Sequence, residues 1–339
     1  IREEIYVSDV TPAGIRLRTE GKQGDKLGIV ADDLTGATTI GVLLARSGMK
    51  TAAFFNTASF SDCESDWQAM VISSDSRPLP KAEAKNRVRN ATQALLERGA
   101  VYFTKRVDTT LRGGIGYEID AMLEVLPQAT IAVVVPAMPQ SRRIVVGGYS
   151  VIDSVALSCT DVAKDVRTPV TETFVPGLLS EQTHHQVKHI PLSCVLKGYH
   201  AISDALIQQQ REGARVIVVD AISLADVENI ARAVTKLNWN VLAVDPGPFT
   251  ERLAFTREMI RDEERKEKAL IPQEQQQGSI IVVAGSATPV TKKQLMALIE
   301  TDPRVCHIPI DAELLIDKEH SADIEVARVV RQALECVKT

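Results

Sequence analysis

The sequence predicts an α/β protein of two lobes, each built on a mostly parallel sheet flanked by helices. Three observations carry this reading. Short β-branched runs alternate with longer amphipathic stretches along the chain. The strand-like runs are almost continuously apolar, as in sheets covered on both faces. The 339 residues, 45% apolar and 24% charged, are chain enough for two domains at ~100–200 residues each.

In order, strands are expected at Leu27–Ala31, Thr51–Phe55, Met70–Ser73, Val101–Lys105, Thr130–Val135, Arg215–Val219, Asn240–Val244, Ser279–Val283 and Val305–Ile308. Each is short, apolar and rich in Val or Ile. Helices are expected between them at Thr35–Gly48, Pro80–Arg98, Gly116–Leu126, Tyr199–Glu212, Leu224–Leu237 and Pro289–Ile299. The mixed-charge run Arg261–Lys268 reads as a solvated helix and Pro272–Gly278 as a surface loop. Residues 1–25 form a polar N-terminal extension, 26–200 a first domain and 201–339 a second.

Composition removes several function classes. Lys plus Arg is 39 against 44 Asp plus Glu, a net charge of −5, which disfavours duplex nucleic acid as the main partner. No apolar run approaches the ~18 residues of a membrane span, and the polar N-terminal residues contain no signal-peptide core. A cytoplasmic protein is expected. The five cysteines are odd in number and far apart, without a CxxC pair, so reduced thiols are expected rather than a disulfide framework or a zinc site. The six histidines are scattered and read as structural.

Chemistry concentrates in the loops that follow strands, where open α/β sheets bind ligands. After the first strand come Asp32-Asp33-Leu34-Thr35-Gly36-Ala37. One carboxylate can cap the next helix, and the other is then free for a ligand. Ser74-Asp75-Ser76-Arg77 follows a strand too, and Arg77 is either a fork for a carboxylate or phosphate or a solvated turn residue. Lys105-Arg106-Val107-Asp108-Thr109-Thr110-Leu111-Arg112-Gly113-Gly114 combines three cations, a carboxylate, two hydroxyls and a glycine pair. Such a loop can present amides, hydroxyls and guanidinium to one anion. The Pro136–Arg143 segment leaves its strand abruptly and carries Arg142 and Arg143. Asp245-Pro246-Gly247-Pro248-Phe249 places an aspartate that serves either a ligand or its own turn. Gly285-Ser286-Ala287-Thr288-Pro289 is a strand-to-helix turn with good capping chemistry that also suits phosphate. No Walker A loop, HExxH, GxSxG or GxGxxG is present.

Taken together, Val30 to Ala37, Ser74 to Arg77, Lys105 to Gly113, Val134 to Pro139, Asp245 to Phe249 and Gly285 to Thr291 resemble, in order, the motifs of the four-carbon acid sugar kinases. Members of that family phosphorylate the terminal hydroxyl of acids such as D-threonate, D-erythronate or 3-oxo-tetronate with ATP. The resemblance implies an N-terminal domain for the sugar acid and a C-terminal domain for the nucleotide. It implies acid binding by Asp32, Asp33, Arg77, Lys105, Asp108, Thr109, Thr110, Leu111 and Arg112. Asp33 and Arg112 are the expected catalytic residues, with Asp33 orienting or deprotonating the attacking hydroxyl. Gly285, Ser286 and Thr288 are expected at the ATP site, and Mg²⁺ accompanies the nucleotide. Thr109 stands where the family often has Ser, and Arg106 where Lys is frequent.

The family continues with a Gly-Gly-Glu-Thr phosphate turn and a later Gly-rich nucleotide loop that this sequence does not contain. The second domain is therefore expected to lack its C-terminal Gly-rich segment. The alternative reading is a non-catalytic sugar-acid sensor without a complete nucleotide site. A small sugar acid is the expected partner, and a homodimer is compatible with the sequence.

Overall fold

The computed structural model describes residues 24–61, 66–165, 167–260, 279–285, 289–316 and 321–338. The expected helix and loop between Arg261 and Gly278 lie outside them. The chain divides into two compact units, Ile1–Lys268 and Ala269–Thr339.

The first unit starts with β1 (Lys26–Ala31), α1 (Leu34–Arg46), β2 (Thr51–Phe54), α2 (Thr57–Ser61), β3 (Ala69–Ser73), α3 (Lys81–Glu97) and β4 (Ala100–Arg106). It continues through α4 (Ile115–Leu123), β5 (Ile131–Val134), β6 (Arg143–Val146), β7 (Tyr149–Ile152), β8 (Val155–Ala156) and α5 (Val175–Gln182). Then come β9 (Val187–Ile190), α6 (Leu192–Val195), α7 (Tyr199–Arg211), β10 (Val216–Val219), α8 (Leu224–Leu237), β11 (Val241–Asp245) and α9 (Pro248–Thr256). The strands expected before residue 245 all form.

Eight strands make one sheet in the order β2-β3-β1-β4-β11-β5-β10-β9, parallel throughout. Period-two alternation divides its faces. Leu27, Ile29 and Ala31 of β1 pack with Ala37, Ile40 and Leu44 of α1. Val30 of the same strand packs with Val88, Ala91 and Leu95 of α3 and with α4. The helices that follow β1 and β4 therefore lie on opposite faces. The carboxyl ends of these adjacent strands, where successive helices change face, are where parallel sheets hold ligands.

The boundary expected between 200 and 201 is corrected. Strands β10 and β11 belong to the same sheet as β1–β5, and β11 lies between β4 and β5. The hydrophobic pattern shows a strand but not its neighbours, so the late strands read as a new domain. Strand β9 and the three-stranded antiparallel sheet β6-β7-β8 were not expected. The latter turns at Gly147-Gly148 and at Asp153-Ser154, all with positive φ, as two-residue hairpin turns require. Asp220, at the end of β10, fixes the first turn by accepting from the Gly147 and Gly148 amides at 2.6 and 2.9 Å.

In the second unit the described elements are α10 (Pro289–Thr301), α11 (Ala312–Ile316) and α12 (Ala322–Lys338). The strands expected at Ser279–Val283 and Val305–Ile308 have no ladder among the described residues. A strand exists only through its neighbours, and Ile280 is 89% exposed. Cys306 and Cys336 form a disulfide, which corrects the expectation of reduced thiols at those two positions. They are 30 residues apart in sequence, a separation that spacing alone does not reveal. Cys159 and Cys194 are free. Among the described residues no helix is long and apolar enough to cross a membrane.

Candidate active site

The loops after β3, β1 and β4 are neighbours in the sheet and bring their charged residues together. Asp33 caps α1, its Oδ1 accepting from the Gly36 amide at 2.7 Å. The capping reading of the pair therefore holds for Asp33, and the same carboxylate also meets two arginines. Arg77 spans the pair, with Nε 2.7 Å from Asp32 Oδ2 and Nη1 2.7 Å from Asp33 Oδ2. Arg106 approaches from the other side, its Nη1 3.4 Å from Asp33 Oδ1 and 3.8 Å from Asp32 Oδ1. A Cβ on Gly36 would stand 2.0 Å from that nitrogen, so the glycine clears the path of the guanidinium. Asp32 is buried and Asp33 partly open.

The β4 loop supplies the rest. Arg112 Nε donates to Asp108 Oδ2 at 2.6 Å, and its Nη1 reaches Asp165 Oδ2 at 3.2 Å. The Thr110 hydroxyl donates to Asp108 as well. Leu111 adopts φ +57° with its side chain buried, a conformation costly for a non-glycine residue. Leu111 thus contributes backbone shape and an anchor in the core. Thr109 is half-exposed on the same turn.

Burial alone would raise the Asp108 carboxyl. The Arg112 hydrogen bond, the charges of Arg77 and Arg112, and the Thr110 hydroxyl outweigh it and hold the group down at about 2. Burial likewise opposes the charged form of Arg77, but Asp32, Asp108 and Asp33 raise its pKa above the usual arginine range. A carboxyl depressed by folding adds stability above its unfolded pKa, and that stability is lost as pH falls through the folded value. The contribution of Asp108 should therefore be complete above pH ~4 and vanish towards pH 2. The shift corresponds to about 2 kcal/mol. Thermal unfolding of Asp108→Asn between pH 2 and 7 should lose this acid limb. A variant whose melting temperature tracks the parent across the range would refute the pairing.

Lys105 is the expected acid-binding residue that does not join the open cluster. It is 0% exposed, with Nζ 2.8 Å from Glu118 Oε2 on α4 and donating to the Arg106 carbonyl at 3.0 Å. Adjacent strand residues face opposite sides of a sheet, so Lys105 and Arg106 cannot share one pocket wall. That alternation is the sequence signal that singles out Arg106, which was absent from the expected site. Asp165, in a turn-rich stretch without a motif, carried no such signal. Arg142 pairs with Asp153 on the hairpin, and Arg143 donates to the Ser141 carbonyl. Asp245 serves its turn, accepting from the Gly247, Phe249 and Thr250 amides. Gly285 has open space about it, while Ser286 and Thr288 lie outside the described residues.

A family model for a sugar-binding N-terminal domain matches residues 27–253, and one for a nucleotide-binding C-terminal domain matches 281–339. D-erythronate kinase from Heliobacterium modesticaldum is 41% identical over 91% of this chain and 67% of its own length. The chain belongs to the four-carbon acid sugar kinase family. This kinase is also similar to D-threonate kinase from Salmonella typhimurium, 29% identical over 91% of the chain and 68% of the relative. Among solved structures it resembles a domain of unknown function from Bordetella bronchiseptica, determined with bound citrate as a domain-swapped dimer. That likeness has a TM-score of 0.61 at 28% identity, covering 91% of this kinase and 72% of the other chain. The first family match runs past 200 to residue 253, in accord with the single eight-stranded sheet. The sensor alternative is not favoured, since the relatives matched over nine-tenths of the kinase are themselves named kinases.

Proposed function

We propose that this protein transfers the γ-phosphoryl group of ATP to the terminal hydroxyl of a four-carbon sugar acid, with D-erythronate the first substrate to test. The observation that carries the reading is a pair of buried guanidinium nitrogens beside the aspartates. Arg77 Nη2 and Arg106 Nε have no hydrogen-bond partner among the described residues. A buried donor left unpaired is costly, and a carboxylate or phosphate oxygen satisfies a guanidinium edge well. Arg77, Arg106 and Arg112 hold and orient the acid in this reading. Asp33, the more open carboxylate, accepts a hydrogen bond from the attacking hydroxyl and takes its proton as the bond to phosphorus forms.

Mg²⁺ prefers one or two carboxylates together with phosphate oxygens. Asp32, whose buried Oδ1 lacks a hydrogen-bond partner, is the carboxylate that fits. Bound there with the nucleotide, the ion would neutralise phosphate charge. Gly285, Ser286 and Thr288 remain the proposed nucleotide contacts. The greater identity to the D-erythronate kinase than to the D-threonate kinase supports the choice of acid. With ATP as the proposed donor, the cytoplasm is the compartment this reading assigns to the reaction. The domain-swapped dimer of the Bordetella relative makes a homodimer the assembly to test by light scattering.

The test is ADP release with Mg-ATP and a panel of four-carbon acids. D-erythronate should give the highest kcat/KM. No ADP release with any acid, from protein that is folded by circular dichroism, would overturn the proposal. Arg112→Ala in the same assay removes one charged hydrogen-bonding group, worth about 1.5–3 kcal/mol. KM for the acid should rise at least tenfold. An unchanged KM would remove Arg112 from the acid site.

A further inference from the structure

Two adjacent histidines, which share no residue with the arginine and aspartate cluster, converge on a buried carboxylate. Asp120 lies on α4, which runs back from the carboxyl edge of the sheet. His184 and His185 lie between α5 and β9. His184 Nδ1 is 2.9 Å from Asp120 Oδ2, and His185 Nε2 is 3.9 Å from Asp120 Oδ1. The three ligand atoms all lie within 4.8 Å of one another. Asp120 is 2% exposed, whereas the His184 side chain is 62% exposed.

We propose that Asp120, His184 and His185 form a site for one divalent transition-metal ion of the zinc class. One carboxylate and two imidazoles are a donor set that suits Zn²⁺. Ligands at ~2.0–2.1 Å from a tetrahedral zinc stand roughly 3.3 Å apart. The two observed separations run to different oxygens of the carboxylate, and with one ligand atom from each residue within 4.8 Å of the others a shift of the rings closes the site and leaves a fourth position for water.

Hydrogen bonding alone accounts for only part of this arrangement. The Thr183 hydroxyl donates to Asp120 Oδ1 and so fixes the carboxylate, as the groups behind metal ligands commonly do. His184 already serves Oδ2. His185, at 3.9 Å, is too far for a hydrogen bond to Asp120, yet its ring packs against His184 with centroids 4.0 Å apart. Arg215 opposes a cation at this place and Glu124 favours one; Asp120 supplies the direct negative charge.

The site would fasten α4 to the turn before β9. Gln182, two residues before His184, accepts from the Gly116 amide at 2.8 Å and donates to the Gly113 carbonyl at 3.3 Å. The clamp thus stands behind the end of the β4 loop without touching the acid.

The experiment is metal titration of the full chain after chelator treatment and dialysis. Co²⁺ should bind at one equivalent with visible d–d absorption, Zn²⁺ should displace it, and Zn²⁺ should raise the melting temperature by several degrees. His184→Ala, at an exposed ring, should keep the fold and weaken Zn²⁺ at least tenfold. His184→Ala/His185→Asn should abolish the one-equivalent site. Absence of saturable binding to the parent protein would overturn the proposal. So would one-equivalent binding that survives unchanged in the double variant, since the ion would then sit elsewhere. The readout is metal binding, so the outcome is independent of kinase activity.

Discussion

Asp33→Asn should lower kcat by about 100-fold or more while moving the melting temperature by only a few degrees. Asparagine caps a helix about as well as aspartate, so the bond from the Gly36 amide survives. Arg77 keeps Asp32 as its partner, and the contact from Arg106 to Asp33 is long, at 3.4 Å. What the substitution removes is the ability to take a proton from the acceptor hydroxyl, a contribution of typically ~10²–10⁴-fold. Initial rates and calorimetry on the one variant decide the matter. A normal kcat would reduce Asp33 to a cap. A collapse in stability parallel to the activity would make it a structural charge.

Lys105→Met should have the largest effect on stability. The Lys105–Glu118 pair is fully enclosed, with Lys105 0% and Glu118 1% exposed. Burial pushes the Glu118 pKa up, and Lys105 is the chief group opposing that rise. Removing one member of a buried pair typically costs about 3–5 kcal/mol, because the remaining charge has neither water nor a counter-ion. Replacing both members with apolar residues of similar volume is often neutral. Lys105→Met/Glu118→Leu should therefore recover most of the stability lost in the single variant. Chemical denaturation of the parent, the single and the double variants tests this. Equal loss in both variants would mean that shape, not charge, holds α4 against β4.

The fold of the first unit was legible where pattern and physics coincide. Val-rich runs such as Thr130–Val135 and Arg215–Val219 announced strands, and Leu224–Leu237 announced its helix to the residue. Strand β9 escaped because Val187-Lys188-His189-Ile190 is half polar, as befits an edge strand flanked on one side only. The position of β11 escaped because insertion between two earlier strands leaves no trace in hydrophobic periodicity. At the site, Asp32, Asp33, Arg77, Asp108 and Arg112 were legible as clusters of charge at strand ends. The burial of Lys105 was not, because it depends on Glu118 standing opposite on a helix. The Asp120, His184 and His185 grouping was invisible, since 64 residues separate Asp120 from His184 and no motif links them.

The insertion of β11 also governs how this chain must be made. Val241–Asp245 pairs with Phe103–Arg106 on one side and Ile131–Val134 on the other. The β4 loop takes one of its anchors from the same place, the Val107 amide donating to the Asp245 carbonyl at 3.1 Å. Until residue 245 leaves the ribosome, β4 and β5 each carry a raw edge, and unpaired parallel edges invite association with other chains. Contacts of such long sequence separation also slow folding. A shortened gene that stops at the sequence-derived boundary of 200 would lose β10 as well as β11, keeping β2-β3-β1-β4 as one half-sheet and leaving β5 and β9 without any partner strand. One that runs to 260 would include every strand of the eight-stranded sheet.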